Sequence, residues 1–331
     1  MVPHHRLDVQ LSVRRVANVR DVDVSELSPG SVERSDVASV VAPPIRRLHS
    51  NFSCVGQRWL KSGRRQKASR TCVDERRRGT VDDVPAVLVH GHPETAAVWG
   101  PLVARLERSD VVCLNLPGYG VATPDAFTAT KEDYTNWLID ELESIGEPVD
   151  LVGHDWGGGF AIRVACLRPD LLRSWVSDIA GVLHPDYVWH DGAQIQQTPT
   201  AGEQFYDRQM AAPKTDLIAR FVSIGIDAET AESFAGIVGP EMARCGLALY
   251  RSATQPAMAR WGADAELAQA QPGLVIVAED DHYVGGTEKA ETMAVRMGAR
   301  SVRLPGLGHW WMQADPAQGA AILTDFWASL R

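Results

Sequence analysis

The stretch Val149-Asp150-Leu151-Val152-Gly153-His154-Asp155-Trp156-Gly157-Gly158 decides the fold. A short, nearly unbroken apolar run ends at Gly153, as a buried parallel strand should. A helical period starts just after Asp155 and reaches Pro169. Asp155 therefore sits on a strand-to-helix turn with Gly153 and Gly157 two residues to either side. Small residues are needed there because such a turn is strained and two backbones approach closely. The plain alternative is an ordinary turn whose Asp caps the helix.

The same kind of run recurs on both sides: Pro85–His90, Asp110–Asn115, Ser174–Ala180, Leu274–Ala278 and Ser301–Leu304. Helices fall between the runs. Thr130 and Asp133 form a capping-box pair, after which Tyr134, Trp137, Leu138, Leu142 and Ile145 recur at helical spacing until Gly146 ends the helix. Asp315-Pro316 opens a last helix with Ile322, Leu323, Phe326 and Leu330 on one face. Strand–helix alternation predicts an α/β fold, a mostly parallel sheet with helices on both faces. From about Pro185 to Gly262 no strand is expected. Residues 185–262 read as an inserted helical lid, leaving 84–184 and 263–331 as the core.

Residues 1–83 differ in kind. Of the 331 residues, the first 80 hold 16 Lys+Arg and 8 Asp+Glu, a net of +8; the remaining 251 hold 17 and 34, a net of −17. Of ten Trp, only Trp59 falls in the basic part. This segment reads as an atypical, poorly ordered extension. A basic arm for nucleic acid is the sharper reading, but it lacks an aromatic platform or any binding module. No run approaches the roughly 18 apolar residues of a spanning helix, and the start carries no apolar signal core. Five scattered cysteines without a C-x-x-C pair fit neither a disulfide framework nor a zinc site. The expectation is a cytoplasmic protein with no metal and no cofactor.

Further polar residues follow other strands. His90-Gly91-His92-Pro93 follows the first run, Glu279-Asp280-Asp281 follows LVIVA, and Gly308-His309-Trp310 follows the last. The chain order is thus a carboxylate on the turn, a second acid, then a histidine. With HGHP, NLPGYG (Asn115–Gly120), GHDWGG, AEDD and LGHWW, the chain from about residue 84 resembles the α/β-hydrolase fold, and within it the epoxide hydrolase and haloalkane dehalogenase group.

That resemblance implies a nucleophile, Asp155, that attacks an sp³ carbon and forms an alkyl ester. His309 would activate water to hydrolyse it, oriented by Asp281. The adjacent Asp280, and Asp178 after SWVSD, remain alternatives for the acid. The backbone N–H groups of His92 and Trp156 would form the oxyanion hole. Epoxide opening needs acids on the epoxide oxygen, and the family uses two lid tyrosines. Tyr250, in Leu249-Tyr250-Arg251-Ser252 and 31 residues before Asp281, matches one; Tyr206 is the second candidate and Tyr187 a weaker one. Halide release needs N–H donors instead; Trp156 supplies one, and Trp189 is the lid tryptophan available for another. Trp156, Tyr187, Trp189 and Trp310 would contact an apolar small-molecule substrate.

Epoxide hydrolysis is the favoured expectation, haloalkane dehalogenation the alternative, and ligand binding without turnover the non-enzymatic one. The family's first antiparallel hairpin has no convincing counterpart in residues 51–83. Its loss would leave a sheet edge poorly covered and favour a homodimer.

Overall fold

In the computed structural model, which describes residues 84–330, the apolar runs become six strands. They are β1 (Ala86–Val89), β2 (Val111–Leu114), β3 (Val149–Gly153), β4 (Leu172–Ser177), β5 (Gly273–Ala278) and β6 (Arg300–Leu304). All pairings are parallel, in the order β2-β1-β3-β4-β5-β6. The basic extension and any upstream hairpin lie outside the described residues.

The sheet separates two apolar layers by the two-residue period of a strand. Val87 and Val89 face one core with Leu151, Trp175 and Val275, whereas Ala86 and Leu88 face the other with Val152, Val176 and Ile276. The central strands β1, β3 and β5 are buried along their whole length, while β6 at the edge is largely exposed and carries Arg300 and Arg303. Charges on an edge strand discourage further strand pairing.

Among the described residues, twelve α-helices surround the sheet: α1 (Gly100–Val103), α2 (Lys131–Ile145), α3 (Trp156–Leu167), α4 (Asp191–Gln197), α5 (Ala201–Ala211), α6 (Lys214–Ser223), α7 (Ala228–Ile237), α8 (Pro240–Ser252), α9 (Ala257–Trp261), α10 (Thr287–Arg296), α11 (Trp311–Ala314) and α12 (Pro316–Ala328). The capping box at Thr130 and Asp133 starts α2. Leu138 of α2, Phe160 of α3 and Met293 of α10 fill the first core; Leu102 of α1, Trp311 of α11 and Phe326 of α12 fill the second.

Strand order places the site. From β1 the chain moves outward to β2, then crosses back to β3 on β1's other side. The connections leaving β1 and β3 therefore diverge at their C-terminal ends and open a crevice, the usual position of an α/β site. His90–Glu94 and His154–Trp156 occupy those two ends. Helices α4 to α9 lie between β4 and β5 in the chain, and their aromatic rings reach onto this crevice. Tyr206 of α5 and Tyr250 of α8 meet His92, and Trp189 stacks on Trp156. No helix among the described residues is long and apolar enough to cross a membrane.

Candidate active site

Asp155 is held at φ 49° and ψ −128°, a backbone conformation that costs a non-glycine residue about 1–3 kcal/mol. Close packing enforces it: a Cβ on Gly157 would lie 2.2 Å from the Val89 carbonyl oxygen, so α3 can leave β3 this tightly only with glycine there. The bend lifts the Asp155 carboxylate over the end of the sheet. His92 N–H donates to its Oδ1 at 2.8 Å, and its Oδ2 faces His309 Nε2 at 3.8 Å. Trp156 opens α3, so its N–H has no helical carbonyl to bind. One backbone donor, that of His92, thus holds a carboxylate oxygen, and the Trp156 N–H comes next along the chain from Asp155.

Of the three candidate acids, Asp281 is the one on the histidine. Its Oδ2 lies 2.7 Å from His309 Nδ1, and its Oδ1 accepts the Tyr283 N–H at 2.8 Å. Asp280 is exposed beside it. Asp178 points elsewhere: Oδ1 accepts the Asp155 N–H at 3.0 Å, and Oδ2 meets His154 Nδ1 at 2.5 Å and the Trp311 indole at 2.8 Å.

Burial pushes the Asp155 carboxyl up to about 6, against the opposing pull of His309 and His154. Asp155 remains mostly ionised at pH 7, by about ten to one. For His309, burial disfavours the charged ring, but the Asp281 charge and hydrogen bond outweigh it and leave the pKa raised. Burial likewise opposes ionisation of Asp281, and His309 overcomes it, so Asp281 stays a carboxylate.

Glu94 was not singled out in the sequence, although it directly follows His90-Gly91-His92-Pro93. Fully buried, its Oε2 accepts the Gly91 N–H at 3.1 Å, and its Oε1 meets His154 Nε2 at 3.1 Å and the Trp310 indole at 2.6 Å. Burial alone would raise its pKa; His154, with His309 and His90, brings it down to about 2. His154 therefore lies between two carboxylates that outweigh its own burial and hold it as an imidazolium. Carboxylate, imidazolium and carboxylate tie the loop after β1 to the turn after β3. Glu94, His154 and His309 also place possible ligand atoms within 4.8 Å of one another. Both His154 nitrogens are already committed to Glu94 and Asp178, so a proton fills the role a metal ion would take.

The lid residues divide by what their polar atoms do. Tyr250 packs edge-on against Trp156 at 5.3 Å between ring centres, and the polar neighbour that acts on its hydroxyl is the Trp156 side chain. An indole only donates, so the Tyr250 proton stays free. Burial and the Asp155 charge raise its pKa well above 10, which keeps that proton in place. Tyr206 donates to Gln196 Oε1 at 2.5 Å and lies 3.2 Å from His92 Nε2. Tyr187 and Trp189 do not fit the polar roles expected of them. The Tyr187 hydroxyl donates to the Tyr283 carbonyl at 2.6 Å, and the Trp189 indole donates to the Ala253 carbonyl at 2.8 Å. Their rings pack on one another, and Trp189 stacks on Trp156. Sequence reading also missed Tyr283, which is exposed and stands 5.1 Å from the His309 ring.

Comparison with known proteins places this arrangement. An epoxide hydrolase from Caballeronia sordidicola is 29% identical over 142 residues, 40% of this chain and 42% of that protein. The (E)-2-((N-methylformamido)methylene)succinate hydrolase of Acinetobacter baylyi is 33% identical over 91 residues, 27% of this chain and 35% of that protein. The chain thus spans well under half the length of these relatives. A haloalkane dehalogenase from Bradyrhizobium elkani has the same fold, with a TM-score of 0.58 and 18% identity over 75% of this chain and 93% of that one. The family model described as "Alpha/beta hydrolase family" matches residues 86–322, most of the chain. With the parallel sheet, the strained Asp155 turn and the His309–Asp281 pair, this chain belongs to the alpha/beta hydrolase family.

Proposed function

We propose that the protein hydrolyses epoxides to vicinal diols through an ester on Asp155. The observation that carries the reading is an aspartate, rather than a serine, on the strained turn, with the free Tyr250 hydroxyl close enough to feel its charge. A carboxylate is already a nucleophile at neutral pH and attacks an sp³ carbon without a base.

Asp155 Oδ2 attacks an epoxide carbon and the C–O bond breaks. The resulting alkoxide takes the Tyr250 proton, leaving a phenolate that the Trp156 indole stabilises. His309 then deprotonates a water, whose oxygen attacks the ester carbon of Asp155. Negative charge develops on Oδ1, where the His92 and Trp156 N–H groups receive it; one such donor contributes about 3–4 kcal/mol. Collapse releases the diol oxygen, which takes its proton from His309. The water's second proton leaves the Asp155 carboxyl and restores Tyr250. Asp281 holds the His309 tautomer and offsets the imidazolium charge. His92, Trp156 and the walls formed by Tyr187, Trp189 and Trp310 surround an apolar substrate.

Halide release is less well served. A leaving halide needs converging N–H donors, yet the Trp189 indole is bound to Ala253 and the Trp156 indole is turned to Tyr250. The test is intact mass of a His309→Ala variant after exposure to styrene oxide and, separately, 1-bromobutane. An adduct with the mass of the epoxide, mapped to Asp155, is expected. An adduct from bromobutane alone would turn the reading to dehalogenation, and none from either would sink the aspartyl-ester mechanism.

A further inference from the structure

Gly246 lies in the middle of α8, where glycine costs about 1 kcal/mol relative to alanine. A methyl group there would lie 2.0 Å from the Tyr206 hydroxyl oxygen and 2.9 Å from His92 Cε1. The helix therefore gives up stability at the one point where His92 and Tyr206 meet. His92 also makes two side-chain contacts, its Nε2 lying 3.2 Å from Tyr206 Oη and its Nδ1 3.0 Å from Tyr119 Oη.

The proton directions follow from chemistry. Tyr206 donates its own proton to Gln196 Oε1, so its oxygen accepts from His92. Burial, with His90 and His190 adding to it against the pull of Glu94, takes His92 down to about 3, so the ring is neutral and carries one proton. That proton is on Nε2, and Nδ1 accepts from Tyr119. Tyr119 to His92 to Tyr206 to Gln196 is thus a chain of hydrogen bonds running one way. A hydroxyl whose oxygen already accepts a hydrogen bond is the stronger donor.

We propose that the His92 side chain is a positioning residue for epoxide opening: its Nε2–H holds the Tyr206 oxygen so that the Tyr206 hydroxyl can turn from Gln196 and give the opening epoxide oxygen a second hydrogen bond beside that of Tyr250. Rotation about the phenol C–O bond is all that this requires, and no proton leaves Tyr206. The proposal rests on the epoxide reading above. It assigns His92 two separable roles, a backbone N–H at Asp155 Oδ1 for ester hydrolysis and a ring N–H at Tyr206 for ester formation.

Rapid-quench mass spectrometry of the full chain with styrene oxide separates these roles, since ester formation and ester decay on Asp155 are read independently. His92→Phe should slow formation about tenfold more than decay, the order expected for one lost hydrogen bond. His92→Gln, whose amide nitrogen reaches a similar place, should recover most of that loss. Gly246→Ala, which displaces the Tyr206 hydroxyl, should show the His92→Phe pattern. Equal slowing of both steps, or no change in formation, would overturn the assignment. Absence of any epoxide ester in the unmodified chain would instead overturn the epoxide reading, and this assignment with it.

Discussion

His154 Nδ1 lies 2.5 Å from Asp178 Oδ2, and the second oxygen of that carboxylate accepts the Asp155 N–H, so a buried ion pair bears directly on the strained turn. Glu94 completes the group on the other side of the ring. Removing one member leaves a charge buried without its partner, which costs about 3–5 kcal/mol. Asp178→Asn and Glu94→Gln should each lower stability by that order in urea titrations. Losses below about 1 kcal/mol would mean that the group is far better solvated than its burial indicates.

Asp281 and Asp280 should separate cleanly. Asp281→Asn removes the acceptor at His309 Nδ1 and is expected to slow ester decay by at least about a hundredfold, the scale on which general-base catalysis works. Asp280→Asn alters an exposed group and should stay within about twofold of the parent, as surface changes usually do. Single-turnover decay of the Asp155 ester reads both. A reversed order would move the triad acid to Asp280.

Asp155 should respond to pH in two opposite ways. Only the carboxylate attacks, so the rate of ester formation should rise through pH 6, where Asp155 titrates, and level off above it. Stability runs the other way. The folded state binds the Asp155 proton more tightly than the unfolded chain, so this group's contribution falls as pH rises from about 4 to 6 and stays low above that. Asp155→Asn should therefore stabilise the protein at pH 7.5 by about 1–3 kcal/mol, a gain that disappears near pH 4. Thermal unfolding of both chains at the two pH values checks this, and a variant less stable at pH 7.5 would contradict it.

Tyr250→Phe removes the free proton beside Asp155. Loss of a general acid typically costs two to four orders of magnitude. Ester formation from styrene oxide should fall by at least about a hundredfold, and the Tyr250→Phe/Tyr206→Phe double variant should form no measurable diol. Diol production retained by the double variant would remove both tyrosines from the mechanism.

The fold was largely legible because buried parallel strands have a local signature. Each of the runs Pro85–His90, Val149–His154 and Leu274–Ala278 falls on a strand in the structure. Strand order was not legible, since β2 and β3 read alike and only pairing shows that β1 lies between them. In the site, Asp155 and His309 stood out through their neighbours in sequence. Glu94 did not, because a carboxylate after a proline reads as an ordinary surface residue until the fold buries it. What the Trp189 and Tyr187 polar atoms bind was not legible for the complementary reason: whether an N–H or O–H is free depends on carbonyls distant in sequence, here those of Ala253 and Tyr283.

The sequence by itself determined the parallel sheet, the turn that raises Asp155 and the presence of an acid and a histidine after later strands. These are properties of neighbours along the chain, set by hydrophobic period and by where glycine is required. Only the tertiary structure decided which acid meets His309, which lid hydroxyl keeps a free proton, and that His154 is charged between Glu94 and Asp178. Hydrogen bonds and buried charges are settled within a few ångströms, between groups far apart along the chain, such as His154 with Asp178, 24 residues away, and with Glu94, 60 residues away.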